Sequence, residues 1–221
     1  MTRGAVSFIW LLLGLLLLAL AWLAPLERLI PGPFSAHMTM HMAVVALAAP
    51  ALALGVAGTR HDPVSRVPGL FPPILASIAE LLVVWSWHTP ALHQLARHSN
   101  AAFAVEQGSF LLSGLWLWLA ALGGPRQGPR DRPGAGIVAL LLTSMHMTLL
   151  GALLALPPRA LFAAHHHAGH GVPRLSAIED QHLGGAIMLV LGGASYLVGG
   201  LGLTARLLRS RQSKLTAEGA R

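Results

Sequence analysis

Residues 6–24 read VSFIWLLLGLLLLALAWLA, nineteen positions without a charged side chain. A helix rises about 1.5 Å per residue, so this run comes close to the ~30 Å hydrocarbon thickness of a bilayer. It follows Arg3 as a secretory signal would, but it is longer than the ~7–15 apolar residues such signals use. It therefore reads as a retained anchor. Five more apolar runs follow, at 37–58, 70–88, 101–122, 137–156 and 183–208. Turn residues or charges bound each of them, as at Pro31-Gly32-Pro33 and across 60–68 and 123–136.

Composition agrees with these runs. Only 10% of the 221 residues are charged, against about 25% in a soluble domain. Backbone groups in lipid must be satisfied internally, which selects helices. A β-barrel would need alternating segments of about ten residues, and none is present. The expected fold is all-α: a polytopic membrane bundle of about six transmembrane helices. One integral-membrane domain covers 1–221, ending in a basic tail at 209–221.

The basic residues orient the bundle. With the N-terminus inside, the inner segments hold Arg3, Arg60, Arg66, Arg126, Arg130, Arg132, Arg206, Arg209, Arg211, Lys214 and Arg221. The outer segments hold only Arg28, Arg97, Arg159 and Arg174. Positive charge favours the cytoplasmic side, so both termini are expected there. This bias accounts for the net charge of +7 through anionic membrane lipid, without invoking nucleic acid. The chain has no cysteine, which excludes disulfides and thiolate metal sites.

That topology gathers polar chemistry at the outer face. His37 and His41 open the second span, in the run HMTMHM at 37–42. Four residues apart, they share one helix face about 6 Å along the axis. Met38 and Met42 form a second stripe, rotated by about 100°. A second Met-His-Met, Met145-His146-Met147, lies within span five. Imidazole and thioether together suit copper, and imidazole alone also suits zinc and haem iron. The bland alternative is interfacial histidines beside gap-filling methionines.

Other groups cluster at the same level. His88 ends span three, where Pro90 breaks the helix, and His93 and His98 follow in the outer loop. Glu106 lies one turn into span four, and Asp180 and His182 precede span six. Met188 falls about two turns below Asp180. His165, His166, His167 and His170 form an accessory His-rich tract. Glu80 and His146, both near mid-depth, are candidates to pair and relieve each other's desolvation. No HExxH motif, matched nucleophile or phosphate loop is present, so an enzyme is not expected.

The ordered motifs HMTMHM, WSWHTPALH (85–93), VEQGSFLLSG (105–114), MHMTLLGALLAL (145–156) and IEDQHLGGAIMLV (178–190) resemble the polytopic CtaG family of cytochrome c oxidase assembly factors. The resemblance covers about 37–200. It implies a multi-pass protein of the bacterial cytoplasmic membrane that helps insert copper into a haem-copper oxidase of the respiratory chain. Oxidase subunits and a copper donor chaperone would be its partners, with the chain itself acting as a metallochaperone. Candidate copper ligands are His37, His41, His88 and His146, with Met38, Met42, Met145, Met147 and Met188 as softer contacts. Glu106 and Asp180 would orient imidazoles by accepting their free N–H. The chain departs from the family pattern at Gln107, where histidine is common, and at His93, where tyrosine is common. Many members also have seven spans. Rival readings of the same histidines are a haem-binding membrane protein, a metal transporter and a purely structural scaffold.

Overall fold

Among the described residues, six stretches are long and apolar enough to cross a membrane: Gly4–Leu23, Pro33–Val56, Pro68–Trp87, Asn100–Leu122, Pro133–Ala155 and Ala177–Ser213. They come from a computed structural model that describes residues 3–124, 132–162 and 175–219, and every regular element among these residues is helical. Six crossings among the described residues would put Arg3 and Gly219 on one side of the bundle. His37, His88, Glu106 and Asp180 lie toward the opposite end, at or near the ends of their helices.

Helix α1 (Arg3–Leu23) is peripheral, with Phe8, Leu12, Leu16 and Leu20 exposed along its outer side. After the short α2 (Leu26–Leu29), span two consists of α3 (Pro33–Met42), a π-helical segment (Ala43–Ala48) and α4 (Ala49–Val56). Close approach of α1 to α4 needs glycine: a Cβ on Gly55 would stand 2.6 Å from Leu11, and one on Gly14 would stand 2.7 Å from Leu52.

The π segment has a covalent cause. Pro50 lacks the N–H that would bond the carbonyl of Ala46, and its ring crowds that carbonyl. The ladder widens, and the freed oxygens take partners from other helices. Ser195 Oγ donates to Ala46 O at 2.6 Å, and Trp118 Nε1 donates to Val45 O at 3.2 Å. Neighbouring side chains thus repair in lipid what proline removes.

Helix α5 (Pro63–Arg66) is capped by the Asp62 carboxylate, which accepts from Val64 N at 2.9 Å. A short 3₁₀ turn (Pro68–Leu70) leads into α6 (Pro73–Trp87). The segment after it, expected as loop, forms a further helix, α7 (Pro90–His98), with proline at its first position. The side chain of Ser99 caps α8 (Asn100–Leu122). Helix α9 (Arg132–Ala155) carries span five. Span six opens with α10 (Ala177–Ile187), started by a capping box between Ser176 and Glu179. A second π segment (Met188–Gly192) and α11 (Gly193–Gly219) complete it, so the basic tail is helical over 209–219.

The core runs down the middle of the bundle through Met38, Met42, Phe110, Leu117, Trp118, Leu140, Met147, Met188 and Tyr196. Glycines let α9 and α10 touch. A Cβ on Gly185 would meet Ala155 N at 2.5 Å, and one on Gly151 would meet Leu189 N at 2.6 Å.

Candidate metal centre

Placement of the histidines begins with where α3 starts. Asp180 accepts hydrogen bonds from Phe34 N and Ser35 N, both at 2.8 Å, and so satisfies two of the free donors at that helix end. A carboxylate there also suits the positive end of the helix dipole. Asp180 therefore bonds the backbone just ahead of His37 rather than an imidazole, the duty expected of it. One and two turns on, His37 and His41 are buried on the face of α3 that looks toward α6, α7 and α8.

His88 follows the last residue of α6. Its Nδ1 lies 2.6 Å from Val84 O. A carbonyl only accepts, so Nδ1 carries the hydrogen and Nε2 presents a lone pair. Thr89 and Pro90 then start α7 across the bundle end. On this helix His93, Ala96 and Arg97 share a face at spacings of three and four residues, and that face turns inward. Glu106, two turns into α8, is fully buried beneath it.

Two imidazole pairs result. His37 and His93 have ring centres 5.0 Å apart, nearly perpendicular, and one ligand atom from each lies within 4.8 Å of a Glu106 oxygen and of the other. One turn deeper, His41 and His88 have ring centres 5.3 Å apart. Metal–nitrogen bonds of about 2.0–2.1 Å to two imidazoles at a tetrahedral angle put the ring centres roughly 5 Å apart. Both pairs have that separation. Phe110 packs 4.0 Å from His41, while Phe34 and Phe162 stack together and flank His93. These rings wall the group with apolar surface, which strengthens every charge interaction inside it.

The hydrogen-bond accounting is unusual. Both nitrogens of His41, Nε2 of His37, Nε2 of His88 and Oε1 of Glu106 are buried without a hydrogen-bond partner. Leaving a buried polar atom unmet costs about 1–3 kcal/mol. Of these, His88 Nε2, one nitrogen of His41 and Glu106 Oε1 carry lone pairs that a metal could take.

Arg97 is the group's counter-charge. Its Nη2 donates to His37 Nδ1 at 3.1 Å and to Glu106 Oε2 at 3.3 Å, and its guanidinium stands 5.3 Å over the Phe103 ring. A guanidinium cannot accept, so the hydrogen of His37 sits on Nε2, 3.7 Å from Glu106 Oε1. That distance is too long for a hydrogen bond. Glu106 therefore pairs first with Arg97 and Gln107.

A family model describing the cytochrome c oxidase caa3 assembly factor, Caa3_CtaG, matches residues 4–210. The chain belongs to that family. No curated protein and no solved structure matches it.

Within this caa3 assembly factor family member, His37, His41, His88 and Glu106 are brought together. The remaining candidates lie elsewhere. Met38 and Met42 turn to the other side of α3: a Cβ on Gly184 would meet Met38 Cγ at 2.9 Å, and one on Gly192 would meet Met42 Sδ at 3.4 Å. Met147 and Met188 are fully buried in that same packed side, and Met145, 68% exposed, points out of the bundle. His146 lines a cleft between α6 and α9, without a ring contact to another histidine among the described residues. The Glu80–His146 pair does not form: Tyr196 OH donates to Glu80 Oε1, and both nitrogens of His146 are without a partner. His182 Nε2 bonds Pro157 O at 2.9 Å and ties α10 to the end of α9. The tract His165, His166, His167 and His170 lies outside the described residues.

Sequence reasoning undervalued His93 and missed Arg97 as a site residue. The signal was the Pro90 start followed by His93, Ala96 and Arg97 at helical spacing.

Proposed function

We propose that this chain assists assembly of a cytochrome c oxidase by holding copper among the imidazoles of His37, His41, His88 and His93 and delivering it to the oxidase. The observation that carries the reading is the His41–His88 pair. Its rings are spaced for a shared ion, and His88 Nε2 and both His41 nitrogens are buried without a partner. Imidazole accepts either oxidation state of copper. The absence of cysteine removes the ligand that would hold the ion most firmly, which suits a protein that must let its cargo go.

The upper group is the natural receiving point, nearer the bundle end, with Glu106 supplying negative charge. Arg97 neutralises that charge while no ion is held and opposes a cation once one arrives, so it favours release over storage. His37 and His41 lie one turn apart on the same helix, and a shift of about 6 Å would carry an ion from the upper pair to the lower.

The test is to purify the full chain from copper-supplied cells and measure metal per chain. The variant His41→Ala with His88→Ala should lose at least about nine-tenths of the bound copper, as should His37→Ala with His93→Ala. Full retention in both would end the copper reading. A strain deleted for the chain should build an oxidase that keeps haem and lacks copper; a fully copper-loaded oxidase there would end the delivery reading.

A further inference from the structure

A cleft of about 810 Å³ separates α6 from α9 and takes no part in the imidazole group. Ser77, Ile78 and Leu81 line one side, and Leu142, Met145 and His146 the other. Ile78, Leu142, Met145 and Leu149 are exposed, so the cleft opens on the surface that faces lipid.

Its hydroxyl groups are already engaged. Ser77 bonds Thr143 at 2.8 Å, Ser144 donates to Gly193 O at 3.0 Å, and Thr148 donates to Ser144 O at 2.8 Å. His146 is the exception: it is 6% exposed, it lines the cleft, and neither of its nitrogens has a partner. Depth makes this informative. His146 lies two residues past the middle of the span Pro133–Ala155, or about 3 Å along the helix. Glu80 lies at the same level, since each is three residues beyond the Ser77–Thr143 bond, but it turns inward to Tyr196. His146 lines the cleft instead, with its two nitrogens just beneath the cleft surface.

Acyl chains would fit the space but bring no hydrogen-bonding group to this depth. The nearer headgroups lie about 12 Å away, half the hydrocarbon thickness less that offset. The occupant must combine an apolar body with one polar group at the middle of the bilayer. The lining of α9 runs from Leu142 to Ala152, about 15 Å or nearly three turns, beside a helix that crosses in the same direction. A groove of that length between two helices has the form of a seat for a third, and in lipid a polar side chain across a helix interface acts as an anchor.

We propose that the α6–α9 cleft receives a transmembrane helix of the client, and that His146 hydrogen-bonds a polar side chain on it at mid-bilayer. Naming the client as an oxidase subunit rests on the assembly reading above; the cleft and its imidazole do not depend on copper.

The test places a benzophenone side chain at Met145 or Leu149 of the full chain, with Leu16 on the exposed side of α1 as control, in cells that make the oxidase. On illumination, Met145 and Leu149 should crosslink to a membrane-spanning segment of an oxidase subunit, identified by peptide mass, and Leu16 should not. His146→Leu should lower the yield about fivefold or more, the factor one hydrogen bond supplies, and His146→Gln should restore it to within about twofold. Copper per chain should be unchanged in His146→Leu. Crosslinks only to a second copy of this chain, or only to lipid or another small amphiphile, would overturn the proposal. So would copper loss in His146→Leu, which would make the imidazole a ligand. If the His41 and His88 variants keep their copper while the crosslink persists, the copper reading fails and the docking face stands. Should His146→Leu accumulate poorly, His146→Gln and the position dependence of the crosslink still decide.

Discussion

Helix α3 presents two faces that differ by one residue in register. His37 and His41 look toward α6, α7 and α8; Met38 and Met42 look toward α10 and the second π segment. Both faces are buried to the same degree, between 0% and 2% exposed. On the methionine face Gly184 and Gly192 leave room for the thioether side chains, and the space is filled. On the histidine face, imidazole nitrogens are shut away from water and left unmet. Equal burial thus serves two ends, with one face made dense and the other kept chemically open. A chain selected for stability alone would have little reason to keep the second, because unmet polar atoms lower stability unless function requires them.

The largest effect should come from disturbing the α9–α10 seam that backs the dense face. A Cβ at Gly185 would lie 2.5 Å from Ala155 N and 2.8 Å from Gly151 O, both backbone atoms that cannot rotate aside. Gly185→Ala must therefore push α10 from α9, at a cost of about 3 kcal/mol, the upper end for overpacking. Thermal unfolding of the purified chain in detergent measures it. Loss below about 1 kcal/mol would mean that the seam is looser than its glycines imply. Because Asp180 lies on α10 and fixes the start of α3, the same substitution should also reduce copper held at His37 and His41.

The two faces were not equally legible beforehand. The six spans follow from apolar runs, since lipid leaves a backbone few options. Depth was legible too: His37, His88, Glu106 and Asp180 do lie toward one end, and Glu80 and His146 at one level. Rotation about each helix axis was not. Met145 and Met147 are only two residues apart, yet a turn of about 200° sends one out of the bundle and the other into its core. Glu80 and His146 diverge for the same reason, each turned by the packing of its own helix. Helix α7 was hidden in a connection, so His93 and Arg97, which complete the upper group, read as loop and surface charge. The duty of Asp180 was masked because a carboxylate near histidines and a helix cap look alike in a sequence.

Replacing His41 sharpens the comparison on the open face. His41→Leu exchanges two unmet buried nitrogens for apolar surface of similar volume beside Phe110. Removing an unsatisfied polar group in this way is neutral or stabilising, so unfolding should shift by about 0–1 kcal/mol toward greater stability. Copper per chain should fall together with that gain. A stability loss of more than about 1 kcal/mol would show that His41 is an ordinary core residue whose packing was the point.

The smallest effect should come from Met42→Leu. The swap nearly conserves volume and should cost under about 1.5 kcal/mol, because Met42 fills a gap beside Gly192 and Met147. Copper content should stay within about twofold of the parent, since the thioether turns away from the imidazoles. This variant is the most direct way to break the distinction between the faces. If Met42→Leu lost copper as fully as His41→Leu, the sulfur would have to reach the ion. Helix α3 would then have to rotate by about 100°, one residue of register, whenever copper binds. The surface at Gly184 and Gly192, against which the methionines now pack, would in that case be a bearing on which α3 turns.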